Sequence, residues 1–173
     1  MPYSPMNSGS KTLQKRPVQR RIFTPDQANA TLPLVRAIVS DLVGLSRDLG
    51  ERRQRLAMLL AGKAKKSRDP YHEELVQVQQ DIEKDMQRLK EYVEELRALG
   101  VEPKSGSEGL VDFPAVLDGQ KVYLCWKLGE SQVLFWHGLE SGYAGRHPVN
   151  ADCAFQSQEA VENRRALGSA SQN

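Results

Sequence analysis

Asp118-Gly119-Gln120-Lys121-Val122-Tyr123-Leu124-Cys125-Trp126-Lys127-Leu128-Gly129-Glu130-Ser131 is the stretch that decides the fold. Asp118-Gly119 is a strong two-residue hairpin signal, because both central positions of a type I′ turn need positive φ. The residues after it alternate with period 2. Val122, Leu124, Trp126 and Leu128 share one face, and Lys121, Tyr123, Cys125 and Lys127 share the other. Working backwards, Gly109-Leu110-Val111-Asp112-Phe113-Pro114-Ala115-Val116-Leu117 reads as the partner strand, edge or bulged at Pro114. Working forwards, Gly129-Glu130-Ser131 turns the chain and Gln132 to His137 makes a third strand, with Val133, Phe135 and His137 on one face. A three-stranded antiparallel meander is marginal alone and must pack on something.

The first half supplies that layer. Thr24-Pro25-Asp26-Gln27 is a capping box with Pro at the first helical position. Pro33 predicts a kink or restart near Thr31. Val35, Ile38, Leu42, Leu45, Leu49, Leu56 and Leu59 then fall at heptad-like steps, giving a core seam on a helix about 45 Å long. Gly62 and the basic link Lys63 to Arg68 break the pattern, and Asp69-Pro70 restarts it. Leu75, Val78, Ile82, Met86, Leu89, Val93 and Leu96 form a second seam with one stutter, and Leu99-Gly100 closes the helix. The predicted class is α+β: a long antiparallel, coiled-coil-like helical hairpin followed by the small meander. A bare hairpin of this length cannot bury both seams, so a third layer or a homodimer is expected.

The chain has 173 residues, 24 Lys and Arg against 22 Asp and Glu, and two cysteines. One folded unit, residues 22–150, is expected at this length. It comprises the hairpin at 23–100 and the meander with its Gly-rich loop at 101–150. Net charge near zero gives no global field for nucleic acid or an anionic membrane. Residues 1–22 hold Lys11, Lys15, Arg16, Arg20 and Arg21 and no acid, and read as a disordered basic tail, with an organelle transit peptide or a weak polyanion contact as the alternatives. Residues 151–173, rich in Ser, Ala, Gln and Asn, read as a second disordered tail. No apolar run approaches a membrane span and no secretory core opens the chain. Cys125 and Cys153 cannot make a disulfide framework or a four-thiolate zinc site. These features together predict a cytoplasmic protein.

Chemistry concentrates between Trp136 and Pro148. His137 and Glu140 lie three apart at a strand exit, and Asp112, Glu130 and His147 can complete a divalent-metal site for an ion such as zinc or iron. The candidate metal set is therefore Asp112, Glu130, His137 and Glu140. Against it stands a structural role, with His137 ending the strand and Glu140 pairing with Arg146. Gly142-x-x-Gly145-Arg146 can form an anion-binding nest with Arg146 as partner, or simply a tight turn. Cys125 with His137 can act as a nucleophile pair, or Cys125 can be a small buried hydrophobe. Asp112, flanked by Val111 and Phe113, needs a buried partner such as Lys127 or Arg146. Arg52, Arg53 and Arg55 with the basic link make a cationic tip without aromatic interleaving, which disfavours base stacking.

Phe23-Thr24-Pro25-Asp26-Gln27-Ala28-Asn29-Ala30-Thr31-Leu32-Pro33 and Gly109 to Ala115 together resemble a bacterial family of uncharacterised proteins, the domain-of-unknown-function family 2203. Val122 to Trp126, Gly129-Glu130 and Trp136-His137 through Gly142-x-x-Gly145-Arg146-x-Pro148 carry the same resemblance. It covers residues 21–149. It implies a helical hairpin followed by a short strand region and implies no activity. The family pattern tends to have Asp where this chain has Glu140, which keeps the carboxylate. Three functional expectations stand beside the resemblance: a small protein binding a divalent metal or anionic ligand at the His/Glu/Asp/Arg cluster, a structural adaptor working through its hairpin as a homodimer, or an enzyme using the same polar cluster for hydrolysis.

Overall fold

The structure is a computed structural model and describes residues 21–62 and 71–169. The expected basic tail, apart from Arg21 and Ile22, and the basic link of the hairpin lie outside the described residues. Helices α1 (Pro25–Gly62) and α2 (Tyr71–Ala98) are followed by five strands, β1 (Glu102–Ser105), β2 (Leu110–Leu117), β3 (Gln120–Lys127), β4 (Phe135–Gly138) and β5 (His147–Pro148). A 3-10 turn, Tyr143–Gly145, precedes β5, and α3 (Gln158–Ser169) ends the described chain. The fold is α+β, and its sheet is an antiparallel meander in the order β1-β2-β3-β4-β5. Five strands replace the expected three. β1 and β5 are four and two residues long and carry Pro103 and Pro148, too short and too irregular to show a period.

The cap at α1 forms as the residue types require. Thr24 Oγ1 accepts from Gln27 N at 3.3 Å, and Gln27 Oε1 accepts from Thr24 N at 3.1 Å. Pro33 does not restart the helix, which corrects that part of the expectation: α1 is continuous from Pro25 to Gly62. Asn29 and Thr31 support the turn before it, donating to the Pro25 and Gln27 carbonyls at 3.0 and 2.9 Å. At the other end α2 closes in a Schellman motif. Val101 N donates to Leu96 O and Gly100 N to Arg97 O, both at 2.9 Å, with Gly100 at φ +86°.

The core lies between the sheet and the proximal half of the hairpin. Ala28, Leu32, Val35, Ile38, Val39 and Leu42 of α1 and Leu96 of α2 pack on Val111, Phe113, Ala115, Val122, Leu124 and Trp126. α1 is long and apolar enough by length and composition to cross a membrane; one face of it, Ala28, Leu32, Val35, Ile38, Val39 and Leu42, is engaged by this sheet, while Leu34 is exposed. Gly109 shows how close the two layers come. A Cβ there would sit 2.6 Å from the Leu128 Cβ and 3.1 Å from methyls of Val39 and Val43, and its φ is +66°. The sheet is thus the third layer that the seams need as far as Leu42 on α1, and Leu49 and Ile82 are the most distal buried positions of the hairpin. At that limit Arg52 pairs with Asp85 at 2.6 Å; past it Leu59 and Val78 of the expected seams are exposed, as is Met86 on the sheet side of Ile82.

Pro114 falls where β2 becomes an edge. β1 pairing ends at Glu102 opposite Asp112, and the Pro114 carbonyl accepts from Phe23 N at 2.8 Å. The missing N–H of Pro114 therefore costs no ladder bond. Residues 151–169, expected as a loose tail, are tied back instead. Phe155 bridges Leu117, Gln156 N donates to Val116 O at 2.9 Å, and the Gln158 side chain accepts from Ile22 N at 2.8 Å. Polar composition hid this segment because only Cys153 and Phe155 pack on the core, and backbone pairing and one amide do the rest.

Candidate functional site

The Asp118-Gly119 turn sets the site. Both residues have positive φ, 51° and 80°, and Leu117 pairs directly with Gln120. Counting inward along this uninterrupted ladder places Asp112 opposite Cys125. On the other side of β3, Tyr123 pairs with His137 and Cys125 with Phe135. Directly opposed residues share a face, so Asp112, Tyr123, Cys125, Phe135 and His137 all lie on the face turned away from the helices. Val133 does not join them, contrary to the expected period. It lies before β4 in the helix-facing core, where Asn29 Oδ1 accepts from its N–H at 2.8 Å.

Asp112, Cys125 and His137 are each 3% exposed or less. One candidate ligand atom from each lies within 4.8 Å of the others. His137 Nε2 is 3.1 Å from Asp112 Oδ1, and His137 Nδ1 is 2.7 Å from the Gly138 carbonyl. A carbonyl can only accept, so Nδ1 carries hydrogen and donates there, which leaves Nε2 facing the carboxylate. Two acceptors 3.1 Å apart in a dry site require a cation between them, either a proton or a metal ion. The opposite carboxylate oxygen, Asp112 Oδ2, has Lys104 Nζ at 3.9 Å, and Lys104 also meets Glu102 at 3.0 Å. Asp112 thus takes His137 and Lys104 as partners in place of the expected Lys127 or Arg146.

Electrostatics follow from burial. Desolvation raises the Asp112 carboxyl above its ordinary value, and the opposing pull of His137 and Lys104 does not cancel it. Desolvation, then the Asp112 charge, pushes the Cys125 thiol up to about 12 against the lowering effect of Arg146. A thiol so placed is protonated at neutral pH and a poor nucleophile, which counts against the Cys125–His137 catalytic pair. Coordination of a metal at this sulfur would require that proton to leave.

The other candidate residues are placed elsewhere. Glu130 does not converge on His137. Its Oε1 accepts from Arg146 at 2.8 Å, its Oε2 from Lys127 N at 2.9 Å, and its carbonyl from Trp126 Nε1 at 3.0 Å. It organises the β3–β4 turn, which Arg36 of α1 also holds by donating to Ser131 O at 2.8 Å. Glu140 is exposed in the turn after β4 and outside the ligand group. His147 stacks on Trp136, with centroids 4.9 Å apart, and is likewise outside it. Arg146 is bracketed by Phe135 and Tyr143 at 4.2 and 4.0 Å, with Glu130 balancing its charge. Gly142 (φ +58°) and Gly145 close the 3-10 turn, where Gly145 N donates to Gly142 O at 3.1 Å. That amide and that guanidinium are already committed, so the loop orders the rim of the site. Cys125 is the ligand candidate that sequence reading passed over, although its place opposite Asp112 follows from the turn.

No curated protein and no solved structure matches the chain. The sequence profile of a family described as an uncharacterized conserved protein (DUF2203) matches residues 21–149, which span the hairpin, the whole meander and all three buried residues. The chain belongs to that family.

Proposed function

We propose that the protein binds a divalent metal ion through Asp112, Cys125 and His137. The carrying observation is the His137 ring. Its Nδ1 is committed to the Gly138 carbonyl, and its Nε2 stands 3.1 Å from Asp112 Oδ1. A backbone carbonyl holding one imidazole nitrogen so that the other can coordinate is the usual outer-shell arrangement of a metal-bound histidine. The spacing supports the same reading. Ligand nitrogen and oxygen atoms at about 2.0–2.1 Å from a tetrahedral ion stand about 3.3 Å apart. One imidazole, one carboxylate and one thiolate suit zinc first and ferrous iron second. Three protein ligands leave a fourth position for water. Their burial beneath Tyr123 and Lys104 suits an ion that holds β2, β3 and β4 together more than one open to substrate.

Elemental analysis by mass spectrometry of the untagged, as-purified chain tests the proposal. About one metal per chain is expected, lost in Asp112→Asn, Cys125→Ser and His137→Gln and kept in Glu140→Ala. A wild-type chain that stays metal-free after dialysis against zinc, iron and manganese leaves a proton between Asp112 and His137, and the proposal fails.

A further inference from the structure

The distal half of the hairpin carries a second, independent feature. Past Leu49 and Ile82 no described residue of α1 or α2 is buried, yet the seam remains apolar. Met58 is 65% exposed, Leu59 48% and Val78 40%. Between the two helices lies an open cleft of about 570 Å³ floored by Leu56, Leu59, Leu75 and Val78. Its walls differ in sign. α1 contributes Arg52 and Arg55, and α2 contributes Glu74 and Asp81. The asymmetry extends along the helices: Arg52, Arg53 and Arg55 face only Glu51 in the distal part of α1, while α2 has eight acids against four bases.

We infer that this face docks a second copy of the same chain. A partner must present an apolar strip flanked by one basic and one acidic wall, in the reverse order. The cleft itself meets that description under a two-fold axis that lays α1 of each copy on α2 of the other. The leucines and Val78 then bury one another, and Arg55 of each copy meets Glu74 of the other, as an isologous interface requires, while Arg52 stays on Asp85 of its own chain. An axis that laid α1 on α1 would set arginine on arginine, so the charge pattern selects the arrangement as well as the partner. The result is a four-helix layer continuing the seam that the sheet covers at the proximal end.

Sedimentation equilibrium of the full chain, from roughly 1 to 100 µM where interfaces of ordinary size associate, tests this directly. The expected result is a rise from one chain mass to two. Val78→Glu, at a position already exposed in the single chain, weakens association roughly ten-fold or more, because the carboxylate loses water without gaining a partner. Leu59→Glu, on the opposite wall, gives the same result by an independent route. Arg55→Glu also weakens association, and adding Glu74→Arg restores it to within a few-fold. A chain that stays at one mass throughout the range overturns the inference and leaves the cleft to another occupant. A dimer indifferent to Val78→Glu and Leu59→Glu, or a charge reversal that fails to restore, overturns it too.

Discussion

Asp112→Asn separates a metal from a proton at the buried centre. The carboxamide has the shape of the carboxylate and can turn its Nδ2–H toward His137 Nε2, where Oδ1 now stands at 3.1 Å. The variant thereby satisfies the imidazole lone pair with no cation, whereas its neutral carbonyl is a poor metal ligand. Its stability should be indifferent to both chelator and zinc. The wild-type chain should behave differently, because an ion that binds only the folded state stabilises it by mass action. At free metal about one hundred times Kd the gain is ~2.7 kcal/mol. For a folded unit of this size each kcal/mol moves Tm by roughly 2–4 °C, so a chelator should lower the wild-type Tm by about 5–11 °C. Scanning calorimetry at fixed protein concentration, with chelator, with zinc and with zinc restored after chelator, reads both chains. The reasoning is refuted if the wild type melts alike in zinc and in chelator. It is refuted equally if Asp112→Asn shows the wild-type response, because the ion would then not need this carboxylate.

Gly109→Ala should destabilise by about 1–3 kcal/mol in urea titration, since its Cβ would overlap Leu128 in a left-handed backbone conformation. Gly50→Ala on an exposed turn of α1, with nothing within 4 Å, should stabilise by roughly 0.5–1 kcal/mol, and a loss there would argue against α1 being helical that far out. Asn29→Ala should cost about 1–3 kcal/mol by leaving the Val133 N–H without its 2.8 Å acceptor, and an unchanged urea midpoint would show that water replaces the amide. Iodoacetamide should label Cys153, which is half-buried, in the folded chain and reach Cys125 only in denaturant, because the Cys125 sulfur is inaccessible; rapid native labelling of both would contradict the packing around Asp112.

The hairpin, its cap at Thr24 and its Gly100 closure were legible because each rests on chemistry within a few residues. The Asp118-Gly119 turn was legible for the same reason, and with it the register of β2 on β3, since a two-residue loop leaves no freedom in which residues oppose. Cys125 opposite Asp112 was therefore available in the sequence. The approach of His137 was not. It depends on how the chain between Leu128 and Phe135 returns, and a one-residue slip there would turn His137 to the helix side. The alternation does slip: Val133 is drawn into the core by Asn29, 104 residues earlier, before Phe135 and His137 resume on the outer face. Glu130 was misread for a related reason. Its carboxylate completes that same return by binding Arg146 and the Lys127 amide, so a residue that looked free to ligate is spent on geometry. The distal seam shows the complementary limit. Heptad spacing states which side of a helix is apolar, and Leu59 and Val78 obey it, but spacing carries no information on what covers that side. The chemistry of the site thus hangs on a register set from a distant helix, and the association of the hairpin hangs on a surface whose partner has to be inferred from the signs of its walls.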